Sequence, residues 1–314
     1  MNSFSNTGIV SEVPVGAGRV TAEGRALVTE RPAAAPSGAV AASGQPASAD
    51  ESPRGVFITF EGGDGAGKST HIRFLASVLS QAGREVVCLR EPGGTAVGEQ
   101  LRGVVLNPGN ESICDASELL MYEAARAQLV AEVIKPALAR GAVVLSDRFY
   151  DSTVAYQGFG RGLDRAFVDA ANAFACQGVV PDRTILMVAP SAAEGLERAT
   201  RHVGADRMER AGSDFHARVS DAFLQIAREN PARIRVVRSD GPKSDTARKV
   251  FSQLSDLFEW MDAFVAENPQ RFEHLDVQRS HEGRINLRED GEAGTTGSIS
   301  PVAPGARDGA EGQR

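Results

Sequence analysis

Gly62-Gly63-Asp64-Gly65-Ala66-Gly67-Lys68-Ser69 fits the pattern G-x-x-x-x-G-K-[ST], and its flanks limit what the chain can become. The apolar run 56–60 leads straight into it, and the amphipathic stretch 68–81 leads out. Strand, glycine-rich loop and helix in that order form an anion cradle: backbone N–H groups curl around a phosphate and the helix adds its positive end. In this setting Lys68 reaches β- and γ-phosphates and the Ser69 hydroxyl ligates Mg²⁺. The segment 62–70, closed by Thr70, is thus expected to bind a nucleoside triphosphate. It leaves kinase, ATPase and GTPase open.

The rest of the chain follows the same alternation. Candidate strands fall at 56–60, 85–89, 142–146, 184–188 and 233–237. Candidate helices fall at 68–81, 97–106, 116–140, 165–176, 192–201, 215–229 and 245–267. Several strands are apolar throughout, as strands covered on both faces are. Strand alternating with helix predicts an α/β fold: a three-layer sandwich around a five-stranded parallel sheet, with ligands beyond the carboxyl ends of the strands. Residues 1–54 are rich in Ala, Gly, Ser and Pro without periodicity and read as a disordered extension. Glu12, Glu23 and Glu30 argue against an organellar leader, and no basic segment precedes an apolar core. Residues 269–314 read as a second disordered tail, which leaves 55–268 as the folded domain.

Composition excludes several classes. The net charge is -7, which suits no sequence-independent grip on nucleic acid. An anionic substrate must then be held by local arginines. Cys88, Cys114 and Cys176 are far apart and form no CxxC pair, as in a protein of a reducing, cytoplasmic compartment. No apolar run approaches the length of a membrane span.

Four further segments narrow the chemistry. The strand 142–146 ends in Asp147-Arg148: the carboxylate can hold Mg²⁺ with Ser69, and the guanidinium offers a planar fork to a phosphate. The strand 85–89 ends in Arg90-Glu91-Pro92-Gly93-Gly94-Thr95, with Arg102 on the next helix. Tyr122 and Arg126 are an i,i+4 pair, placing an aromatic face and a guanidinium together as a base would need, or as core packing would. Ser152 to Gly162 sets Gly158, Gly160 and Gly162 around Arg161, the pattern of a small mobile lid carrying a cation.

These segments, in their order and spacing, resemble bacterial thymidylate kinase, within the P-loop nucleoside monophosphate kinases. The resemblance rests on 60–70, 90–95, 120–130, Asp147-Arg148-Phe149 and 155–162, and covers about residues 55 to 265. It implies ATP + dTMP giving ADP + dTDP with Mg²⁺, in a homodimer. It implies that Asp64 binds the sugar 3′-hydroxyl, and that Arg90, Arg102 and Arg148 surround the dTMP phosphate. Tyr122 would stack on thymine, Arg126 would hydrogen-bond its carbonyl, Thr153 and Gln157 would address the base edge, and Tyr156 would lie against the deoxyribose. Gly65 stands where some members carry the catalytic arginine, so Arg161 takes that role by resemblance, beside Lys68 and Arg148. Tyr122 stands where Phe is commoner, which should preserve stacking, and Phe149 stands where Tyr is common, a change expected to be harmless. Asp206-Arg207-Met208-Glu209 resembles a segment past the lid, and Ser239-Asp240-Gly241-Pro242 falls where the adenine-side loop lies. A kinase for another monophosphate and an inactive nucleotide-binding module remain the alternatives.

Overall fold

The computed structural model describes residues 54–191, 194–195 and 206–277. The expected extension 1–54, apart from Arg54, the tail from 278 and most of the candidate helix 192–201 lie outside the described residues. Five strands form one parallel sheet in the order β2-β3-β1-β4-β5: β1 Val56–Glu61, β2 Val86–Arg90, β3 Val143–Asp147, β4 Arg183–Val188 and β5 Ile234–Arg238. All five coincide with the apolar runs expected from sequence.

Side chains of β1 alternate between the two faces, as the strand period of two requires. Ile58 and Phe60 join Leu75 and Leu79 of α1 (Lys68–Gln81) on one face. Phe57 joins Leu129, Ile134 and Leu138 on the other. The second face is covered by α3 (Asp115–Leu129), α4 (Lys135–Ala139), α6 (Arg165–Cys176) and α7 (Ser213–Glu229), and α2 (Ala96–Val105) packs on α3. α3 and α4 form one rod through π-helical turns at Val130–Ile134. The polar residues of β1, Thr59 and Glu61, face a buried polar layer: Thr59 Oγ1 lies 2.7 Å from Thr184 Oγ1, and Arg233 Nη1 donates to Thr184 Oγ1 and to Asp151 at 2.6 Å.

Three expectations need correction. The glycine-rich segment 152–162, expected as a small mobile lid, is packed helix through Gly160. It continues α5 (Tyr150–Thr153) as π-helical turns over Val154–Gly160, and Val154 to Gly158 are buried. Val154, Ala155 and Tyr156 pack with Phe215, Val219 and Phe223 of α7. Gly160 serves close approach rather than hinging: a Cβ there would sit 2.7 Å from the Phe215 ring. Second, the single helix expected over 245–267 is two, α8 (Lys243–Ser252) and α9 (Met261–Glu267). The turn between them folds Phe258 and Met261 into the core, which a straight helix would direct elsewhere. Third, the domain does not end at 268. Helix α10 (Pro269–Val277) places Phe272, fully buried, and Leu275 in the same core as α1 and α8. Its apolar spacing of three residues is the signal the sequence offered.

Candidate active site

The phosphate loop connects β1 to α1 at the carboxyl edge of the sheet. Gly62 (φ 125°) runs against β4 so closely that a Cβ would stand 2.1 Å from the Met187 carbonyl oxygen. Gly67 (φ 95°) takes the left-handed conformation just before α1, which a side chain would strain. Lys68 Nζ donates to the carbonyl oxygens of Gly62 (3.0 Å) and Gly63 (2.9 Å). Burial pulls its pKa below the ordinary lysine value and nearby Arg148 adds to this, while Asp147, Asp64 and Glu61 oppose them.

β3 pairs with β1 so that Asp147 stands beside Phe60. Ser69 Oγ donates to Asp147 Oδ2 at 2.7 Å, so two hard oxygen ligands meet beside the phosphate loop. That donor pair fits Mg²⁺, which takes one or two protein oxygens and completes its shell with phosphate and water.

Arg148 follows with φ 73°, a left-handed backbone at a non-glycine residue. Such a conformation persists only when its surroundings over-determine it. Here they do. Arg148 N donates to Phe60 O (2.9 Å), and the Arg148 carbonyl accepts from Ser146 Oγ (2.7 Å). Glu61, buried beneath, accepts from Phe149 N (2.7 Å), Ser152 N (3.3 Å) and Ser152 Oγ (2.6 Å). Burial and then Asp151 push the Glu61 carboxyl up to about 8, against the pull of these donors and Arg148. The result aims the Arg148 guanidinium at the loop: Nη1 donates to Gly62 O (3.0 Å) and Nη2 to Asp64 Oδ1 (2.6 Å). Burial alone would raise the Asp64 carboxyl, but Arg148 and then Lys68 hold it down, to about 2. Tyr156 closes this group, its ring 5.1 Å from the Arg148 guanidinium and its hydroxyl 3.3 Å from Asp64 Oδ2.

At the end of β2, Arg90 and Arg102 both donate to the Pro92 carbonyl (3.3 and 2.9 Å), and Arg90 also pairs with Glu99 at 3.0 Å. Arg126 of α3 is almost wholly enclosed. Its five N–H donors meet Glu91 (2.9 and 2.7 Å), Glu123 (3.0 Å), Asn172 (2.8 Å) and Thr153 Oγ1 (2.9 Å). The pair expected at the base edge, Arg126 and Thr153, is therefore in mutual contact, with the guanidinium's donors already engaged by protein. Tyr122, one turn earlier, lies within electrostatic reach of Glu118, Arg148 and Arg207, and burial raises its phenol pKa.

Gln157 and Arg161 converge on a residue that sequence reasoning missed. Glu118 is fully buried and accepts from Gln157 Nε2 (2.7 Å), Arg161 (3.2 and 3.0 Å) and Arg207. Arg161 also lies over the Phe215 ring at 4.6 Å, and Arg207 donates to Val105 O at 2.8 Å. Burial would raise the Glu118 carboxyl, but hydrogen bonds from Arg161, Gln157 and Arg207 hold it low. A signal for it existed: Glu118, Tyr122 and Arg126 repeat every four residues on one helix face. Glu61 and Glu91, each at or just past a strand's carboxyl end, were legible only as positions.

The assembled arrangement can seat a triphosphate on 62–70, neutralise its charge with Lys68, and hold a second anion beside Arg148. Comparison with known proteins agrees. A family model described as thymidylate kinase matches residues 60–250. The thymidylate kinase of Trichlorobacter lovleyi is 46% identical over 188 residues, covering 58% of this chain and 88% of that one. That of Geobacter sulfurreducens is 46% identical over 206 residues, covering 64% and 96%. A crystal structure of thymidylate kinase from Ehrlichia chaffeensis superposes with a TM-score of 0.54 at 33% identity, covering 64% of this chain and all of that one. With a family model across most of the folded part and close relatives covered almost end to end, the chain belongs to the thymidylate kinase family.

Proposed function

We propose a residue-level account of how this chain moves the γ-phosphoryl group of ATP to dTMP. That the chain phosphorylates dTMP with ATP follows from its family and from the intact phosphate loop. The observation that carries the account is the Asp64–Arg148–Tyr156 group, set against the phosphate loop by the strained turn at Arg148.

In this account 62–70 holds the ATP phosphates, Lys68 neutralises charge on the β- and γ-phosphates, and Ser69 with Asp147 would hold Mg²⁺. The ion supplies charge neutralisation between the phosphates. Asp64, kept ionised by Arg148, accepts from the dTMP 3′-hydroxyl. Arg148, Arg90 and Arg102 face the dTMP phosphate, and Tyr156 packs on the deoxyribose. Tyr122 stacks on thymine. Arg126 and Thr153, locked together with every guanidinium donor engaged by protein, act as a rigid support behind the base edge, and Gln157, its amide nitrogen fixed by Glu118, addresses that edge. Arg161 is the transition-state cation, and Glu118 supplies the counter-charge it exchanges for phosphate. Phosphoryl transfer needs positioning and charge neutralisation more than a strong base, and this set supplies both. The direct test is nucleotide-dependent ADP release across a set of monophosphates, with dTMP expected to stand out.

Two wider features belong to the same reading. The free cysteines Cys88, Cys114 and Cys176 suit a reducing, cytoplasmic compartment. The chain also works as a homodimer: Phe167 and Phe174 of α6, Leu120 of α3 and Val97 and Val104 of α2 are large apolar side chains left exposed, Phe174 by 86%. They lie on helices that pack on one another, α2 on α3 and α3 on α6, and a dimer interface would bury them. Sedimentation velocity should give twice the chain mass for the wild type and the single-chain mass for Phe174→Glu; a monomeric wild type would contradict this.

A further inference from the structure

The family match ends at residue 250, yet the fold continues to Val277. Residues 251–277 pack onto the helices that follow the phosphate loop and the 239–242 segment, the side where ATP is read to sit. Phe272 of α10 lies edge-on to Phe74 of α1 (5.1 Å) and to Phe251 of α8 (5.2 Å), and Phe264 of α9 lies 6.2 Å from both Phe251 and Phe272. α1 starts at the phosphate loop. α8 starts where the segment Ser239-Asp240-Gly241-Pro242 ends. Helix α10 therefore bridges α1 and α8, the helices that begin at the phosphate loop and at the end of the 239–242 segment.

The polar contacts continue that bridge. Asp276, near the end of α10, accepts from Ser244 N in the first turn of α8 at 3.1 Å. No residue of α8's own N-terminus supplies a side-chain cap, so Asp276 acts as a cap in trans. The carbonyl of Lys243, one residue earlier, is 3.3 Å from His71 Nε2, and His71 Nδ1 is 2.8 Å from the carbonyl of Gly67, the last glycine of the phosphate loop. The imidazole is buried and spans the two carbonyls, with its N–H on one of them. A connected path thus runs from α10 through the start of α8 and His71 to the phosphate loop.

We propose that α10 positions ATP: Asp276, by capping α8, fixes the 239–242 segment against the phosphate loop through His71. Asp276 is a positioning residue and touches neither substrate. The proposal rests on the reading of 239–242 as the adenine side, so the test examines both. In the full chain, Asp276→Ala should raise KM for ATP about three- to fivefold, the size of one lost helix cap carried into binding. It should leave kcat and KM for dTMP within about twofold. Asp276→Asn, which keeps an acceptor oxygen, should recover most of the loss. Gly241→Phe probes the segment itself: a Cβ at Gly241 meets no protein atom within 4 Å, so the ring enters open space and should raise KM for ATP strongly. If Gly241→Phe raises KM for ATP while Asp276→Ala leaves it unchanged, or raises both KM values alike, the positioning role of α10 is wrong and the adenine-side reading stands. If Gly241→Phe leaves KM for ATP unchanged, the adenine-side reading fails, and the proposal with it.

Discussion

Lys68→Ala is expected to lower kcat/KM for ATP by a factor on the order of 10³, equivalent to about 4 kcal/mol of transition-state stabilisation, and Arg161→Ala to lower kcat by a comparable factor. The two cations act at different places. Lys68 is sunk in the phosphate loop, with its amine against the Gly62 and Gly63 carbonyls, so its loss removes charge from the triphosphate itself. Arg161 reaches in from the turn after Gly160 and is held by Glu118 and the Phe215 ring. Its loss should therefore fall on kcat and spare KM for dTMP. Fold should survive in both variants: Lys68 leaves two carbonyls beside open loop, and Glu118 keeps Arg207 and Gln157 when Arg161 goes. Steady-state kinetics with a thermal melt separates these cases. Near-normal kcat in Arg161→Ala would reduce that residue to a structural partner of Glu118.

Arg126→Met should produce the largest loss of stability of any single change at the site, about 3–5 kcal/mol, or on the order of 10 °C in Tm. The guanidinium is almost fully enclosed, with two carboxylates, Glu91 and Glu123, bound to it at 2.7 and 3.0 Å. Its removal leaves two buried carboxylates with no counter-charge. Their pKa values set the pH dependence. Burial pushes the Glu91 carboxyl from 4.5 up to about 7 even with Arg126 in place, and raises Glu123 as well. An acid whose folded pKa is raised binds more protons folded than unfolded, so stability falls as pH rises between those two values. Without Arg126 the folded values climb further and the window extends upward. The deficit of Arg126→Met against wild type should thus be larger at pH 8 than at pH 5. Adding Glu91→Gln and Glu123→Gln should restore at least half of it. Urea melts at the two pH values decide the matter; a deficit below about 1 kcal/mol at pH 8 would mean the network carries no net stability.

Much of the architecture was legible because single residues dictate it. The apolar runs that became β1 to β5 can satisfy their backbone only in a covered sheet. The glycines at 62 and 67 admit only a tight phosphate loop. What stayed illegible has a common cause: tertiary context changed the meaning of a local pattern. Gly158 and Gly160 carry the composition of a flexible loop, yet Phe215 and Val219 press on Gly160 and make the segment a packed helix. Phe272 and Leu275 stand in a polar stretch and gain their meaning only from Phe74 and Phe251, nearly 200 and about 20 residues away in sequence. At the site, the cations and the two aspartates, Asp64 and Asp147, were readable from their motifs, while the buried glutamates that hold the rest were not. Glu61, Glu91 and Glu118 are each buried, and only the fold shows which guanidinium or backbone turn each one fixes.

We propose that Tyr122 and Gln157, backed by the Arg126–Thr153 pair, select thymidylate. The measurement that tests it most directly is ADP release by the purified full chain with ATP, Mg²⁺ and, in separate reactions, dTMP, dUMP, UMP, CMP, AMP and GMP. Turnover should be strong with dTMP. It should be weaker with dUMP by roughly 10- to 200-fold, the worth of one methyl contact, and negligible with the rest. Preferred turnover of another monophosphate would contradict the base-side roles while leaving the phosphate machinery in place; no turnover with any of them, with ATP still bound, would contradict the account as a whole.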